Sequence, residues 1–180
     1  MKVEEPAFKY YQRYSVTQWE QWQDQWELID GFPYCMSPLP IIEHQRVSNK
    51  IIAELERNLK MCTKCMAIPP INWKINLNTV VQPDVSLVCP PAKGLYLTRA
   101  PEIIFEILSP STALKDRNQK MELYAQQKVK YYIIVDLKKE IAEVYLLKKG
   151  VYEKVLETRS DKYIFDSNCK INFSFSKIWL

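Results

Sequence analysis

The sequence predicts an α/β protein with a central mixed β-sheet flanked by helices and an additional C-terminal β-hairpin. Three observations carry that prediction. Glu102 to Leu108 is an apolar run, five large apolar residues in seven, closed by Ser109-Pro110. A run of that kind reads as a strand covered on both faces. A helical pattern from about Leu114 to Gln127 leads directly into a second apolar run, Tyr131 to Asp136. Strand, helix and strand in that order make a right-handed parallel crossover. Ile141 to Leu147 and Val151 to Leu156 then turn back on each other through Lys148-Lys149-Gly150, as a hairpin does.

Composition narrows the class. A chain of 180 residues is most simply one domain, 1–180, able to bury roughly 70% of its extended surface. With 47% hydrophobic and 26% charged residues it reads as soluble and globular. Only three Gly are present, which excludes a glycine-rich phosphate loop. No apolar run is long enough to span a membrane, and the N-terminus has no apolar signal core, so a cytoplasmic protein without a lipid anchor is expected. The net charge of +4 permits nucleic-acid contact without requiring it. Five Cys, an odd number with no secretory signal, predict reduced thiols. Cys62 and Cys65 form a C-x-x-C, but the other cysteines are scattered singly and the pair closes a helix instead of opening one. Both a zinc site and a redox motif are therefore disfavoured.

Taken in order, Met1 to Tyr14 read as an N-terminal arm. Thr17-x-x-Glu20 has the form of a capping box, so a helix is expected to start at Thr17. Trp19, Trp22 and Trp26 then share one helical face, the spacing of a buried stripe; a base-stacking platform is the competing reading. Gly31 is the natural place to turn into a short strand over Phe32 to Met36. After the break at Ser37-Pro38-Leu39-Pro40, a second helix runs from about Ile42 to Met61 on the stripe Val47, Ile51, Ile52, Leu55 and Leu59. His44, the only histidine, points to the same side, either as a satisfied core residue or into a polar pocket.

Ile71 to Leu77 alternates as a half-buried strand. Val80 to Val88 reads as the next extended stretch, and Pro83 places Asp84 where the sheet begins or is distorted. If this stretch and Glu102–Leu108 pair antiparallel with Val88 against Glu102, Asp84 comes opposite Glu106 on one face, their Cβ atoms about 5 Å apart. Glu106, in the middle of a buried strand, needs a cation, a metal ion or donated hydrogen bonds. A structural salt bridge and a metal site both answer that need. Ser111 or Thr112 can cap the following helix, on which Asp116, Lys120 and Tyr124 recur every four residues. That stripe is either an exposed ion pair or a means of leaning Lys120 back over Glu106. Asp161 to Phe165 and Ile171 to Phe175 are further short strands.

Several of these blocks together resemble the Uma-two family of restriction-endonuclease-like proteins, a branch of the PD-(D/E)XK nuclease superfamily. The residues that carry the resemblance are Gln82-Pro83-Asp84-Val85, Phe105 to Thr112, Asp116-Arg117-x-x-Lys120-x-x-x-Tyr124 and Tyr132 to Asp136, with Glu27 to Gly31 and Ser37-Pro38 through His44-Gln45-Arg46 upstream. The resemblance implies a restriction-endonuclease-like fold and a metal-dependent endonuclease acting on DNA, with Mg²⁺ or Mn²⁺ as cofactor and a homodimer as assembly. It implies that Asp84 and Glu106 hold the metal, with the main-chain carbonyl of Ile107 as third ligand. An E-x-K motif would put lysine at position 108, where this chain has Leu108; the resemblance implies that Lys120 on the next helix takes that role. Glu27 and His44 match accessory positions. A catalytically inactive nucleic-acid-binding protein that keeps the fold is the alternative, and an interaction module built on the Trp-rich segment is a third.

Overall fold

The computed structural model describes residues 12–23, 25–36, 41–110 and 112–179. Residues 1–11 of the expected arm, the break at Ser37–Pro40 and the Ser111 cap lie outside them. In chain order the elements are α1 (Val16–Trp19), β1 (Trp26–Ile29), β2 (Phe32–Cys35), α2 (Ile42–Leu59), β3 (Met66–Ile68) and β4 (Trp73–Asn76). Next come β5 (Thr79–Val81), β6 (Val85–Val88) and β7 (Ile103–Ile107), then α3 (Ala113–Lys115), a π-helical turn (Asp116–Lys120) and α4 (Met121–Gln126). The chain finishes with β8 (Tyr131–Asp136), β9 (Ile141–Lys148), β10 (Val151–Thr158), β11 (Lys162–Asp166), β12 (Lys170–Ser174) and a 3₁₀ turn (Phe175–Lys177). Among the described residues no helix is long and apolar enough to cross a membrane. The chain divides into two compact units, Met1–Leu39 with Lys74–Val81, and Pro40–Trp73 with Gln82–Leu180.

The first unit holds a sheet of order β2-β1-β5-β4. Its β1–β2 hairpin turns at Asp30-Gly31, both at positive φ (51° and 83°), the backbone that a two-residue hairpin turn demands. The expected start of α1 moves upstream. Ser15 is the cap: its Oγ accepts the Gln18 N–H at 3.3 Å while its own N–H donates to Gln18 Oε1 at 2.9 Å, so glutamine closes the capping box two residues before Thr17-x-x-Glu20 could. The helix is only four residues long, which corrects the tryptophan stripe. Trp19 ends α1, Trp22 follows it in a loop and Trp26 opens β1; all three are half-buried. The Trp19 indole N–H donates to the Trp26 carbonyl at 2.6 Å, a contact one helical face could not make.

The second unit is built on a six-stranded sheet of order β10-β9-β8-β7-β6-β3. Only β7 and β8 run parallel, joined by the crossover helix; the other neighbours are antiparallel. The sheet is therefore mixed, as expected. β7 is buried at all five positions, with alternate residues on opposite faces. On one face Ile103, Phe105 and Ile107 join Val47, Ile51, Leu55 and Leu59 of α2 and Phe165, Ile171 and Phe173 of the β11–β12 hairpin in the core. Ile104 and Glu106 turn to the other face, which Tyr124 and the crossover helix cover. The β6–β7 register is Val85 to Phe105, Ser86 to Ile104 and Leu87 to Ile103, the one that brings Asp84 to Glu106 when carried a step further. β9 and β10 turn at Lys149-Gly150, both at positive φ (50° and 86°).

The cysteines differ from expectation. Cys62 pairs with Cys169 and Cys65 with Cys89, where reduced thiols were expected. The C-x-x-C straddles the turn after α2, and each of its thiols meets a partner that only the folded chain brings near. Neither half of the motif binds the other.

Candidate active site

Glu106 sits one residue before the end of β7 and projects from the sheet face opposite α2. Its Oε1 accepts two hydrogen bonds from the crossover helix, from Lys120 Nζ at 2.9 Å and from the Tyr124 hydroxyl at 2.7 Å. Glu106 and Lys120 are 2% and 3% exposed and Tyr124 is fully buried. A buried carboxylate without such partners would be strongly disfavoured, so this pair answers the question that the strand sequence raised. Of the two readings of the helix stripe, the one that leans Lys120 over the sheet holds.

Asp116 is the residue that sequence reasoning left out of the site. It is 2% exposed, and its Oδ1 lies 3.6 Å from Lys120 Nζ, so the ammonium stands between two buried carboxylates. The helix is π-wound over Asp116–Lys120, and such widened turns concentrate at functional sites. With about 4.4 residues per turn, the fourth residue on returns to nearly the same side, which keeps Asp116 and Lys120 together. Tyr132 of β8 pins the turn by donating its hydroxyl to the Asp116 carbonyl at 2.9 Å. Arg117 ties the same turn to β9 through Glu143 at 2.6 Å, and Tyr145 donates to the other oxygen of Glu143 at 2.6 Å. The Asp-x-x-x-Lys-x-x-x-Tyr spacing was the available signal for Asp116 and Tyr124. Tyr132 was marked only as the start of the Tyr132–Asp136 block, and nothing in the sequence tied its hydroxyl to Asp116.

Asp84 precedes β6, where Pro83 takes the chain out of the ladder. Its Oδ2 accepts the N–H of Ile107 at 2.7 Å, standing in for a strand partner next to the Val85–Phe105 pair. His44, in the first turn of α2, brings Nε2 to 3.3 Å from the same oxygen. Burial pulls the imidazole down, but the hydrogen bond to Asp84, the charge of Asp84, the main chain of Ile107 and the charge of Asp116 outweigh it and raise its pKa above 6.5. Burial first, and then the charges of Glu106 and Asp116, push Tyr132 well above 10, so it remains a donor. His44 is thus buried, 7% exposed, with Asp84 as its partner. Glu27 stands in β1 of the first unit, 1% exposed and paired across the hairpin with Tyr34.

The site brings the carboxylates of Glu106 and Asp116 to one ammonium, and the carboxylate of Asp84 to one imidazole. Carboxylate oxygens suit a hard divalent ion. Among the described residues no three His, Cys, Asp or Glu side chains form a ready metal cage. An ion of the magnesium kind takes only one or two carboxylates and keeps several waters, and two carboxylates are what Asp84 and Glu106 would offer it.

The fold has a solved counterpart. A crystal structure described as a putative nuclease belonging to DUF820 from Anabaena variabilis ATCC 29413 superposes with a TM-score of 0.75 at 13% identity, covering 92% of this chain and 97% of that one. The two share the restriction-endonuclease-like fold. The cryoEM structure of a DrdV–DNA complex matches far more loosely, with a TM-score of 0.33 at 18% identity over 64% of this chain and 12% of that one. No curated protein matches the chain. Residues 9–173 match the family model Uma2, described as "Putative restriction endonuclease", and with that span the chain belongs to the Uma2 family.

Proposed function

We propose that this protein is an endonuclease that hydrolyses DNA phosphodiester bonds with a divalent ion, Mg²⁺ or Mn²⁺, held by Asp84 and Glu106 and by the main-chain carbonyl of Ile107. The observation that carries the reading is the buried Lys120–Glu106 contact at 2.9 Å. It supplies from the helix the ammonium that Leu108 does not supply from the strand. In hydrolysis a water oxygen bonds to phosphorus as the bond to the leaving sugar oxygen breaks; the water gives up a proton and the leaving oxygen takes one. A bound divalent ion supplies Lewis acidity and lowers the pKa of its water. Lys120 offsets the negative charge that grows on the phosphoryl oxygens, and a fixed charge in a dry site does so without reorganising. His44 Nε2, 3.3 Å from Asp84 Oδ2, holds that carboxylate in orientation. Cutting both strands of a duplex needs two such sites, which a homodimer would provide.

The test is Mg²⁺- or Mn²⁺-dependent nicking of plasmid DNA by the wild type, Asp84→Ala, Glu106→Ala and Lys120→Ala. Each variant is expected to lose ~100-fold or more. Equal residual cleavage in all four proteins would mark it as a contaminant and end the reading. One observation favours an inactive DNA-binding protein instead: Glu106 Oε1 already accepts from Lys120 and Tyr124, as in a purely structural ion pair. Mn²⁺ calorimetry separates the two, since the inactive binder shows no heat that depends on Asp84.

A further inference from the structure

Lys120 raises a difficulty for any ion on Glu106, because its ammonium already sits 2.9 Å from Oε1 of the carboxylate that the ion would take. We propose that Asp116 is a positioning residue that gives the Lys120 ammonium a second seat, so that Lys120 moves off Glu106 when a cation arrives and yet stays in the site. This inference rests on the endonuclease reading above.

The distances describe such a pair of seats. Lys120 Nζ is 2.9 Å from Glu106 Oε1 and 3.6 Å from Asp116 Oδ1, so a shift of under an ångström exchanges the closer partner. Burial makes the exchange matter. The two carboxylates are each 2% exposed, and the lysine side chain is 4% exposed, so water screens little of the attraction or of the repulsion from an incoming ion. An exposed i, i+4 pair would be worth only a few tenths of a kcal/mol, and this pair is not one. The frame is asymmetric in rigidity as well. Asp116 lies on a turn held by the Tyr132 hydroxyl on its own carbonyl and by the Arg117–Glu143 ion pair beside it, while Glu106 lies on a central strand. The four-carbon stem of Lys120 is the movable part between two fixed acids. Without the second acid, an ion on Glu106 would have to displace the ammonium against the carboxylate it is bonded to.

The experiment is calorimetric titration of the full chain with Mn²⁺ alone, comparing wild type, Asp116→Asn, Lys120→Met and the double variant, with Glu106→Ala as control. Asp116→Asn is expected to weaken Mn²⁺ about tenfold, the size typical of losing a residue that supports a metal ligand. Lys120→Met removes the competitor, and in that background the Asp116→Asn penalty should shrink to about twofold or less. A penalty of equal size in both backgrounds would show that Asp116 acts on the ion directly, and the proposal falls while the endonuclease reading stands. Failure of wild type to bind Mn²⁺, or binding unchanged in Glu106→Ala, removes both. Should Asp116→Asn not fold, the wild type answers alone: with ¹³C-labelled lysine, the Lys120 side-chain signal, assigned by its loss in a Lys120 variant, must move when Mg²⁺ binds. A signal that stays still while Mg²⁺ binds overturns the proposal.

Discussion

Asp84 Oδ2 accepts the main-chain N–H of Ile107 at 2.7 Å, a contact that joins the chain just before β6 to the residue after Glu106. The carboxylate thereby fills the place of a strand partner where Pro83 has ended the ladder. Two acids separated by more than twenty residues of chain become neighbours through one peptide group.

Asp84→Asn separates the structural from the chemical part of that contact. The amide oxygen can still accept from Ile107, so the variant is expected to fold with a loss of about 1 kcal/mol, while metal-dependent nicking falls ~100-fold. Chemical denaturation and plasmid nicking, measured on one preparation, check both halves.

Lys120→Ala leaves Glu106 and Asp116 buried without the ammonium between them, and breaking a buried pair in this way costs about 3–5 kcal/mol. Position 108 lies just past the end of β7, two residues after Glu106. Adding Leu108→Lys to Lys120→Ala is therefore expected to recover about tenfold of the lost nicking, the charge being restored from the strand. No recovery in a double variant that is folded by circular dichroism would show that the helix position itself is required.

His44 predicts a pH dependence of stability. Its folded-state pKa is raised above 6.5, so its contribution is fully present below the unfolded value and is lost as pH rises through the folded value. Unfolding free energy should fall across the neutral range above 6.5, and His44→Gln should flatten that slope. Urea titrations at a series of pH values measure it; an identical slope in the variant refutes the assignment to His44.

The two disulfides close loops of very different length, with sequence separations of 107 for Cys62–Cys169 and 24 for Cys65–Cys89. Chain entropy makes the longer loop worth about 4–5 kcal/mol and the shorter about 3 kcal/mol. Cys169→Ser is accordingly expected to lower stability more than Cys89→Ser. Denaturation with and without a reductant checks the order, because the reduced proteins should converge.

Much of this chain was legible because its signals are local. The apolar run of β7, the Lys149-Gly150 turn and the α2 stripe follow from periodicity and turn residues, which act within a few residues of themselves, whereas the β6–β7 register stood only as a condition on antiparallel pairing. Even the Glu106–Lys120 contact was foreseeable, since a strand and the helix that follows it pack together in any crossover. The tryptophan stripe misled because helical spacing is only a tendency: Gln18 closed an earlier cap and the chain left the helix after Trp19. The disulfide partners, the π-winding at Asp116 and the Tyr132 hydrogen bond were decided by tertiary structure alone. Each depends on which distant residue arrives beside it, and a thiol, a carbonyl or a carboxylate has no partner written into its own neighbourhood. Thus the sequence by itself determined the β7 run, the α2 stripe and the crossover into β8; packing decided that a second acid, Asp116, would be buried beside Glu106 and share its lysine.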